Sequence, residues 1–121
     1  MNNQTVDIFN PKTIRATMGS IFRVPFVYVP DLALVLEQMH AKGIYTYAAH
    51  LKGQEYYDSF SFREPTAFLI GNEGNGLSKE ISDQAGQYLK IPMEGRVESL
   101  NASIAAALLM YEAHRQRSAR L

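Results

Sequence analysis

The segment IGNEGNGLSKE, residues 70–80, has the composition of a ligand-binding loop and follows the apolar run AFLI. Its three glycines leave backbone N–H and C=O groups uncovered and cost conformational entropy on folding. The spacing matches neither a Walker phosphate loop nor a G-x-G-x-x-G dinucleotide fingerprint. Three interpretations stay open: a plain strand-to-helix turn, a weak phosphate loop, or a loop whose backbone contacts a flat, uncharged ligand such as adenosine. Glu73 favours the third, because a carboxylate repels phosphate but accepts hydrogen bonds from hydroxyl and amino groups.

A second polar cluster, IPMEGRVESLN, occupies residues 91–101 between an apolar run and a helix pattern. Ser99 and Asn101 can each cap the N-terminus of that helix. Two capping residues so close together are more than one helix needs, so the cluster supports a ligand site built by both segments.

The elements that must position these two clusters alternate between helix and strand. The pattern predicts a helix from Pro11 capped by Asn10, a strand VPFVYV, a helix after Asp31 that Gly43 closes, strands IYTYAAHL and TAFLI, a helix capped by Ser78, a strand YLKIPM, and a long final helix from near Ser99. This alternation predicts an α/β fold with a largely parallel sheet flanked by helices. TAFLI, which is almost wholly apolar, is typical of a strand buried on both faces. Ligands of such sheets bind outside the carboxyl ends of the strands, where both polar clusters fall.

The final helix is apolar around most of its circumference, which is typical of a helix buried on more than one side. One predicted face consists of Leu100, Ile104, Leu108 and Tyr111, while Leu109, Met110 and Ala113 fall elsewhere on the wheel. The covering surface is either the rest of this fold or a second subunit.

The composition is that of one globular domain: 121 residues, 46% hydrophobic and 20% charged. The absence of cysteine excludes disulfides and thiolate metal sites, and the three histidines show no ligand spacing, so no metal is expected. No apolar run approaches the ~20 residues of a membrane span, and residues 1–12 lack the pattern of a signal peptide. We therefore expect a cytoplasmic protein without a membrane partner. The net charge of zero argues neither for nor against nucleic acid.

Three segments together resemble the SpoU/TrmH-type branch of the SPOUT RNA methyltransferases: NPKTIRATMGSIFRVPF, FLIGNEGNGLSKEI and IPMEGRVESLNASIAAALLMYEA. The resemblance extends from about Asp7 to Arg117, and the last two segments match the second and third motifs of that family in the right order. It implies an α/β fold with a C-terminal trefoil knot, S-adenosylmethionine (AdoMet) bound in the knot, and a homodimer packed through the final helix. The implied reaction is methyl transfer to ribosomal or transfer RNA, typically at a ribose 2′-hydroxyl.

The resemblance also implies roles for individual residues. It assigns cofactor binding to Leu69, Ile70, Gly71, Asn72, Ile91, Met93, Ser99 and Leu100. Glu73 and Asn101 are expected to shape the catalytic site. Arg15, Arg23 and especially Arg96, which flanks the cofactor site, are candidates for contacts with RNA phosphates.

Members of the family carry a further motif upstream, an Asn followed by an Arg that helps to activate the target hydroxyl. Asn10 and Arg15 belong to a later segment and do not match it, so we expect residues 1–121 to be a SpoU-type methyltransferase domain without that motif or an N-terminal RNA-binding domain. The leading hypothesis is an RNA methyltransferase domain. The alternatives are a domain of the same fold that binds cofactor or RNA without transferring methyl, and a nucleotide-binding α/β domain without methyl chemistry.

Two further groups of residues have ordinary structural explanations. The aromatic residues Tyr56, Tyr57, Phe60 and Phe62 are expected to pack a loop onto the sheet rather than to stack RNA bases. The basic segment HRQRSAR, residues 114–120, is expected to be a favourable helix C-terminus rather than a phosphate contact.

Overall fold

The computed structural model describes residues 1–3, 5–72, 74–95 and 100–118. The helices are α1 (Pro11–Thr17), α2 (Leu32–Ala41), α3 (Lys79–Gln84) and α4 (Ala102–Ser118), and the strands are β1 (Tyr45–Ala49), β2 (Thr66–Leu69) and β3 (Gln87–Leu89). Short 3-10 turns cover Ser20–Phe22 and Tyr57–Ser59. The second of these turns lies in the aromatic loop between β1 and β2.

The three strands form a parallel sheet in the order β2-β1-β3. Tyr45 pairs with Thr66 at one edge, and Ala49 pairs with Leu89 at the other. The predicted α/β fold with a parallel sheet flanked by helices is thus confirmed. The expectation that TAFLI is buried on both faces is wrong for the described residues: the central strand β1 is the buried one, whereas most of β2 is half-buried. The reason is position, because β2 lies at an edge of this sheet.

Side chains on the two faces of the sheet build two separate cores. On one face, Tyr47 and Leu89 pack with Phe62 and with Leu109 of α4. On the other face, Ala48 and Leu69 pack with Leu36 of α2 and Ile81 of α3. Because adjacent strand residues point to opposite faces, this single short sheet holds α4 on one side and α2 with α3 on the other.

The predicted helix caps are present. The Asn10 side chain accepts a hydrogen bond from the Lys12 N–H at 3.0 Å, and Asp31 Oδ1 accepts one from the Leu34 N–H at 3.1 Å. Ser78 Oγ accepts the Ile81 N–H at 3.4 Å at the start of α3. Gly43 follows α2 with φ +75°, which lets the chain turn directly into β1.

The predicted strand VPFVYV, residues 24–29, is not part of the sheet. It is extended, and its backbone pairs with the chain terminus: the Met1 amino group donates to the Val27 carbonyl at 2.9 Å, and the Val29 N–H donates to Met1 at 2.7 Å. Pro25 lacks an N–H, which weakens any strand ladder through this segment. None of the described residues among the first thirty is buried.

The final helix begins at Ala102, three residues later than predicted, and it buries a different face. Its buried residues are Ala105, Leu109 and Ala113. The predicted apolar face is largely exposed, with Ile104 at 52% and Tyr111 at 74% of full exposure. Two of these three buried residues are alanines, so the buried face of α4 is not its most hydrophobic face.

Polar side chains near the end of α4 attach it to the aromatic loop. Gln116 Nε2 donates to the Phe60 carbonyl at 2.9 Å, and its Oε1 accepts from the Phe62 N–H at 2.6 Å. Arg117 donates from Nε to the Phe62 carbonyl at 2.8 Å. Tyr57, Phe60 and Phe62 pack the loop onto the sheet as predicted, with the Phe62 ring 5.1 Å from Tyr47, whereas Tyr56 is half exposed. Part of the basic segment therefore has a structural role.

Candidate functional site

A cleft of about 600 Å³ lies at the carboxyl edge of the sheet. Each strand contributes residues at or after its carboxyl end: 49–51 for β1, 70–72 and 74–77 for β2, and 90, 91 and 93 for β3. Residues 100–102 and 105, at the start of α4, complete the lining. Both polar clusters identified in the sequence thus meet at this edge, where parallel α/β sheets bind ligands.

The side chain of Asn72 folds the glycine-rich loop after β2. Its Oδ1 accepts hydrogen bonds from the Gly74 N–H at 2.9 Å and the Asn75 N–H at 2.7 Å. The Asn72 carbonyl accepts the Gly76 N–H at 2.9 Å, and Gly76 has φ +65°. This Asx-type turn presents the loop backbone to the cleft in a fixed shape.

Gly71 is required by the loop itself, before any ligand is considered. A Cβ built at this position would lie 2.5 Å from the Leu77 backbone nitrogen and 2.7 Å from the Gly76 Cα. Such contacts are far inside van der Waals distance. The absence of a side chain at Gly71 therefore lets the backbone of Gly76 and Leu77 pack against the end of β2.

Asn101 caps α4 at the opposite wall of the cleft. Its Oδ1 accepts hydrogen bonds from the Ser103 N–H at 2.9 Å and the Ile104 N–H at 3.4 Å. The cap is the one predicted from sequence, and it fixes the helix N-terminus, with its partial positive charge, at the cleft.

The structure brings most of the sequence-predicted site residues together. Seven of them line the cleft: Ile70, Gly71, Asn72, Ile91, Met93, Leu100 and Asn101. Leu69 instead lies in the core with Leu36, Ala48 and Ile81. Glu73, Arg96 and Ser99 lie outside the described residues. Arg15 and Arg23 lie on the exposed surface of the N-terminal segment and do not line the cleft.

Sequence reasoning missed His50 and Lys90, which also line the cleft. His50 Nδ1 accepts the Lys52 N–H at 3.0 Å, and its ring stacks on Tyr88 at 4.9 Å and 19°. The Lys90 backbone is held between Glu55, to which it donates at 2.9 Å, and Tyr57, from which it accepts at 2.9 Å. The signal was present in the sequence, because residues 49–51 end a predicted parallel strand and must reach the same edge as the two polar clusters.

The hydroxyl of Tyr88 is hydrogen-bonded to an ion pair formed by Asp83 and Lys79. The Tyr88 hydroxyl donates to Asp83 Oδ1 at 3.1 Å, and Lys79 Nζ lies 2.6 Å from Asp83 Oδ2. The hydrogen bond from Lys79, and then that from Tyr88, hold the pKa of Asp83 below its usual range. Burial, followed by the bond to Asp83, raises the pKa of Tyr88. Tyr88 is thus kept as a neutral, anchored ring beneath His50.

Within the described part of the lining, His50 and Lys90 are the only ionisable side chains, and the rest is apolar or amide. Such a cleft suits a mostly uncharged organic ligand better than a chain of phosphates. In the described ranges there is no cluster of three or more residues suited to hold a metal ion, and no helix has the length and apolar character to cross a membrane.

A parallel α/β sheet with a backbone-lined cleft at its carboxyl edge defines a small-molecule-binding α/β domain. The family model of the SpoU rRNA methylase family matches residues 1–111. The chain therefore belongs to the SpoU rRNA methylase family, and the resemblance inferred from the two motifs is confirmed.

Individual relatives agree with this assignment. YacO of Bacillus subtilis (strain 168), assigned to the TrmH family of tRNA/rRNA methyltransferases, is 38% identical over 104 residues, which cover 86% of this chain and 42% of YacO. The SpoU methyltransferase AviRb from Streptomyces viridochromogenes, in complex with the cofactor AdoMet, superposes with a TM-score of 0.87 at 35% identity, covering 97% of this chain and 48% of AviRb. An RNA 2′-O ribose methyltransferase structure gives a TM-score of 0.81 at 33% identity, covering 93% of this chain and 43% of that one. The chain thus spans less than half the length of each of these relatives.

Proposed function

We propose that this chain binds AdoMet in the cleft and forms the cofactor-binding part of an RNA methyltransferase that acts on a ribose 2′-hydroxyl of ribosomal or transfer RNA. The observation that carries the proposal is that the described residues of the glycine-rich loop and residues 91, 93, 100 and 101 of the second polar cluster line one cleft. The AdoMet complex of AviRb and the 2′-O ribose activity of the second structural relative support it.

The cleft fits the proposed cofactor. Its volume lies within the ~300–1,000 Å³ of small-molecule sites. Leu77, Ile91 and Leu100 supply apolar surface for a purine, and the loop backbone at Gly71 supplies hydrogen-bonding groups without charge. When bound, AdoMet supplies an electrophilic methyl group on a sulfonium, so the chain itself needs to bind, orient and exclude water.

Within this proposal the chain's residues have distinct roles. Asn72 shapes the loop that holds the cofactor, and Asn101 fixes the helix end beside it. Backbone around Gly71, Ile91 and Leu100 binds the cofactor, with Leu69 supporting it from the core and Ser99 nearby. Glu73 and Asn101 orient the target ribose.

RNA binding is proposed for three arginines. Arg96 lies between two cleft-lining segments in the sequence, and it would contact phosphates beside the cofactor. Arg15 and Arg23 are exposed on the N-terminal segment, where they would contact a longer stretch of RNA.

One observation favours the alternative that residues 1–121 bind cofactor without efficient transfer. A ribose hydroxyl must lose its proton to a base in the transition state. Among the described residues of the cleft, Nδ1 of His50 already accepts the Lys52 N–H and is therefore not available to a ribose hydroxyl. We therefore expect weak or no incorporation of tritium from labelled AdoMet into ribosomal and transfer RNA by residues 1–121, and efficient incorporation would contradict this alternative.

The proposal includes a homodimer packed through α4. Four large apolar residues of the helix are 39–74% exposed: Ile104, Leu108, Met110 and Tyr111. We also propose that the protein has the C-terminal trefoil knot and the cytoplasmic location that the resemblance implies.

Isothermal titration with S-adenosylhomocysteine, compared with ATP, tests the proposed cofactor. We expect saturable binding of S-adenosylhomocysteine in a one-to-one ratio and weaker binding of ATP, because the described lining offers only Lys90 as a permanent cation for a triphosphate. Tighter binding of ATP would contradict the proposal and would favour a nucleotide-binding domain without methyl chemistry.

A further inference from the structure

The side chain of His50 is fixed on two sides. Its Nδ1 accepts the backbone N–H of Lys52 at 3.0 Å. One face of its ring stacks on Tyr88 with 4.9 Å between centroids. Tyr88 is itself anchored by its hydroxyl to Asp83 on α3, which is paired with Lys79. These contacts define the orientation of the imidazole in the structure.

This geometry fixes the tautomer of His50. A ring nitrogen that accepts an N–H cannot carry a proton, so the proton of the neutral imidazole is on Nε2. Nε2 has no hydrogen-bond partner among the residues that the structure describes, and His50 lines the cleft. In this tautomer His50 is a hydrogen-bond donor through Nε2 at the carboxyl end of β1.

The chemistry of the neighbouring residues identifies the kind of acceptor. An anionic group in the cleft has Lys90 as its natural partner, because an ammonium attracts it more strongly than a neutral imidazole does. Ala49, Leu51 and Leu77 line the same cleft and favour a flat apolar body. Adenine combines such a body with three unprotonated ring nitrogens that accept hydrogen bonds.

We propose that His50 donates a hydrogen bond from Nε2 to a ring nitrogen of the cofactor's adenine and thereby contributes to adenine selection. The proposal rests on the proposed function, since it takes AdoMet as the occupant of the cleft. It assigns Tyr88 and the Lys52 N–H a positioning role, because they hold the imidazole in the donating tautomer.

Two substitutions of His50 separate the donor from the local structure. His50→Asn keeps an oxygen near the position of Nδ1, so it preserves the acceptor for the Lys52 N–H but removes the donor at Nε2. His50→Gln keeps a donor near the position of Nε2 and gives up the acceptor at Nδ1. A merely structural role predicts that Asn is the milder change, whereas the proposed donor role predicts that Gln is.

The test is calorimetric titration of the wild type and both variants with S-adenosylhomocysteine and with its 1-deaza, 3-deaza and 7-deaza analogues. In the wild type we expect one analogue to bind about 2- to 13-fold more weakly, the range of a single hydrogen bond. The affinity of H50N for S-adenosylhomocysteine should be lower than that of the wild type by a similar factor, and H50N should bind that analogue and S-adenosylhomocysteine equally well. H50Q should stay within about 3-fold of the wild type.

Equal affinity of H50N and the wild type for S-adenosylhomocysteine would overturn the role of His50, as would unchanged discrimination among the analogues in H50N. Should H50N fail to fold in circular dichroism, the wild-type series still decides, because no loss with any of the three analogues overturns the proposal. A wild-type chain that does not bind S-adenosylhomocysteine at all would instead overturn the proposed cofactor itself.

Discussion

Substitution of Gly71 by alanine should damage the cleft, whereas the same substitution at Gly74 should not. A Cβ at Gly71 would lie 2.5 Å from the Leu77 nitrogen and 2.7 Å from the Gly76 Cα, both of which are backbone atoms that cannot rotate away. A Cβ at Gly74 would meet only Asn72 Oδ1, at an ordinary 3.6 Å. The two variants differ by the same methyl group in the same loop, so they form a matched pair.

The expected magnitudes follow from these distances. Overpacking typically costs about 1–3 kcal/mol, and the upper part of that range applies where backbone must move. For a domain of this size, the midpoint of thermal unfolding of Gly71→Ala should fall by about 5–15 °C. Because Gly76 and Leu77 line the cleft, their displacement should also weaken the binding of S-adenosylhomocysteine by about tenfold, or ~1.4 kcal/mol.

Thermal unfolding and calorimetric titration of both variants and the wild type give the answer. Gly74→Ala should stay within about 2-fold of the wild type in affinity, a difference of ~0.4 kcal/mol. If Gly71→Ala and Gly74→Ala were indistinguishable in both assays, the close approach of the loop to the end of β2 would not be a feature of the folded protein. If the added methyl group only filled the space of the ligand, the stability of the ligand-free protein would not change. The close backbone contact at Gly71 instead predicts a loss of stability without any ligand.

Three further predictions concern α4. Gln116→Met removes the two hydrogen bonds of Gln116 to the backbone of Phe60 and Phe62, so it should lower the free energy of unfolding by about 2–4 kcal/mol. In the same denaturant titration, Arg115→Met at an exposed position should lower the free energy of unfolding by less. Hydrogen bonds from Arg115 and then from Gln116 lower the pKa of Glu112 to about 2. The stabilisation that ionised Glu112 gives the fold is therefore complete above its ordinary pKa of 4.5 and is lost as the pH falls towards 2. Glu112→Gln should flatten the pH dependence of the free energy of unfolding in that window, and an unchanged slope would contradict this. Sedimentation should give a dimer that Leu108→Lys weakens, and a concentration-independent monomer mass for the wild type would refute the α4 interface.

Local signals in the sequence were sufficient for most elements of the fold. Asn10, Asp31 and Ser78 each cap the predicted helix because a short polar side chain reaches a nearby N–H, an interaction within three residues. The parallel sheet followed from the alternation of strands and helices, and the location of the cleft followed from the parallel sheet. These inferences depend on neighbours in the chain or on topology, both of which a sequence contains.

The features that were mispredicted depend on contacts between distant residues. Ala105 and Ala113 are buried in α4 while Ile104 is exposed, although hydrophobicity ranks Ile104 above both alanines. The segment 24–29 has the composition of a strand, yet it pairs with Met1 instead of the sheet. The need for glycine at position 71 arises from a backbone contact with Leu77, which no local pattern records.

The most direct test of the central claim is amide chemical-shift mapping of the isotope-labelled chain during titration with S-adenosylhomocysteine. The account predicts saturable shifts concentrated at the cleft, in residues 49–51, 70–77, 90–93 and 100–102, with little change at the exposed N-terminal residues 6–28. Shifts confined to the N-terminal segment or to the outer face of α4, or no saturable shifts at all, would contradict a cofactor site at the carboxyl edge of the sheet.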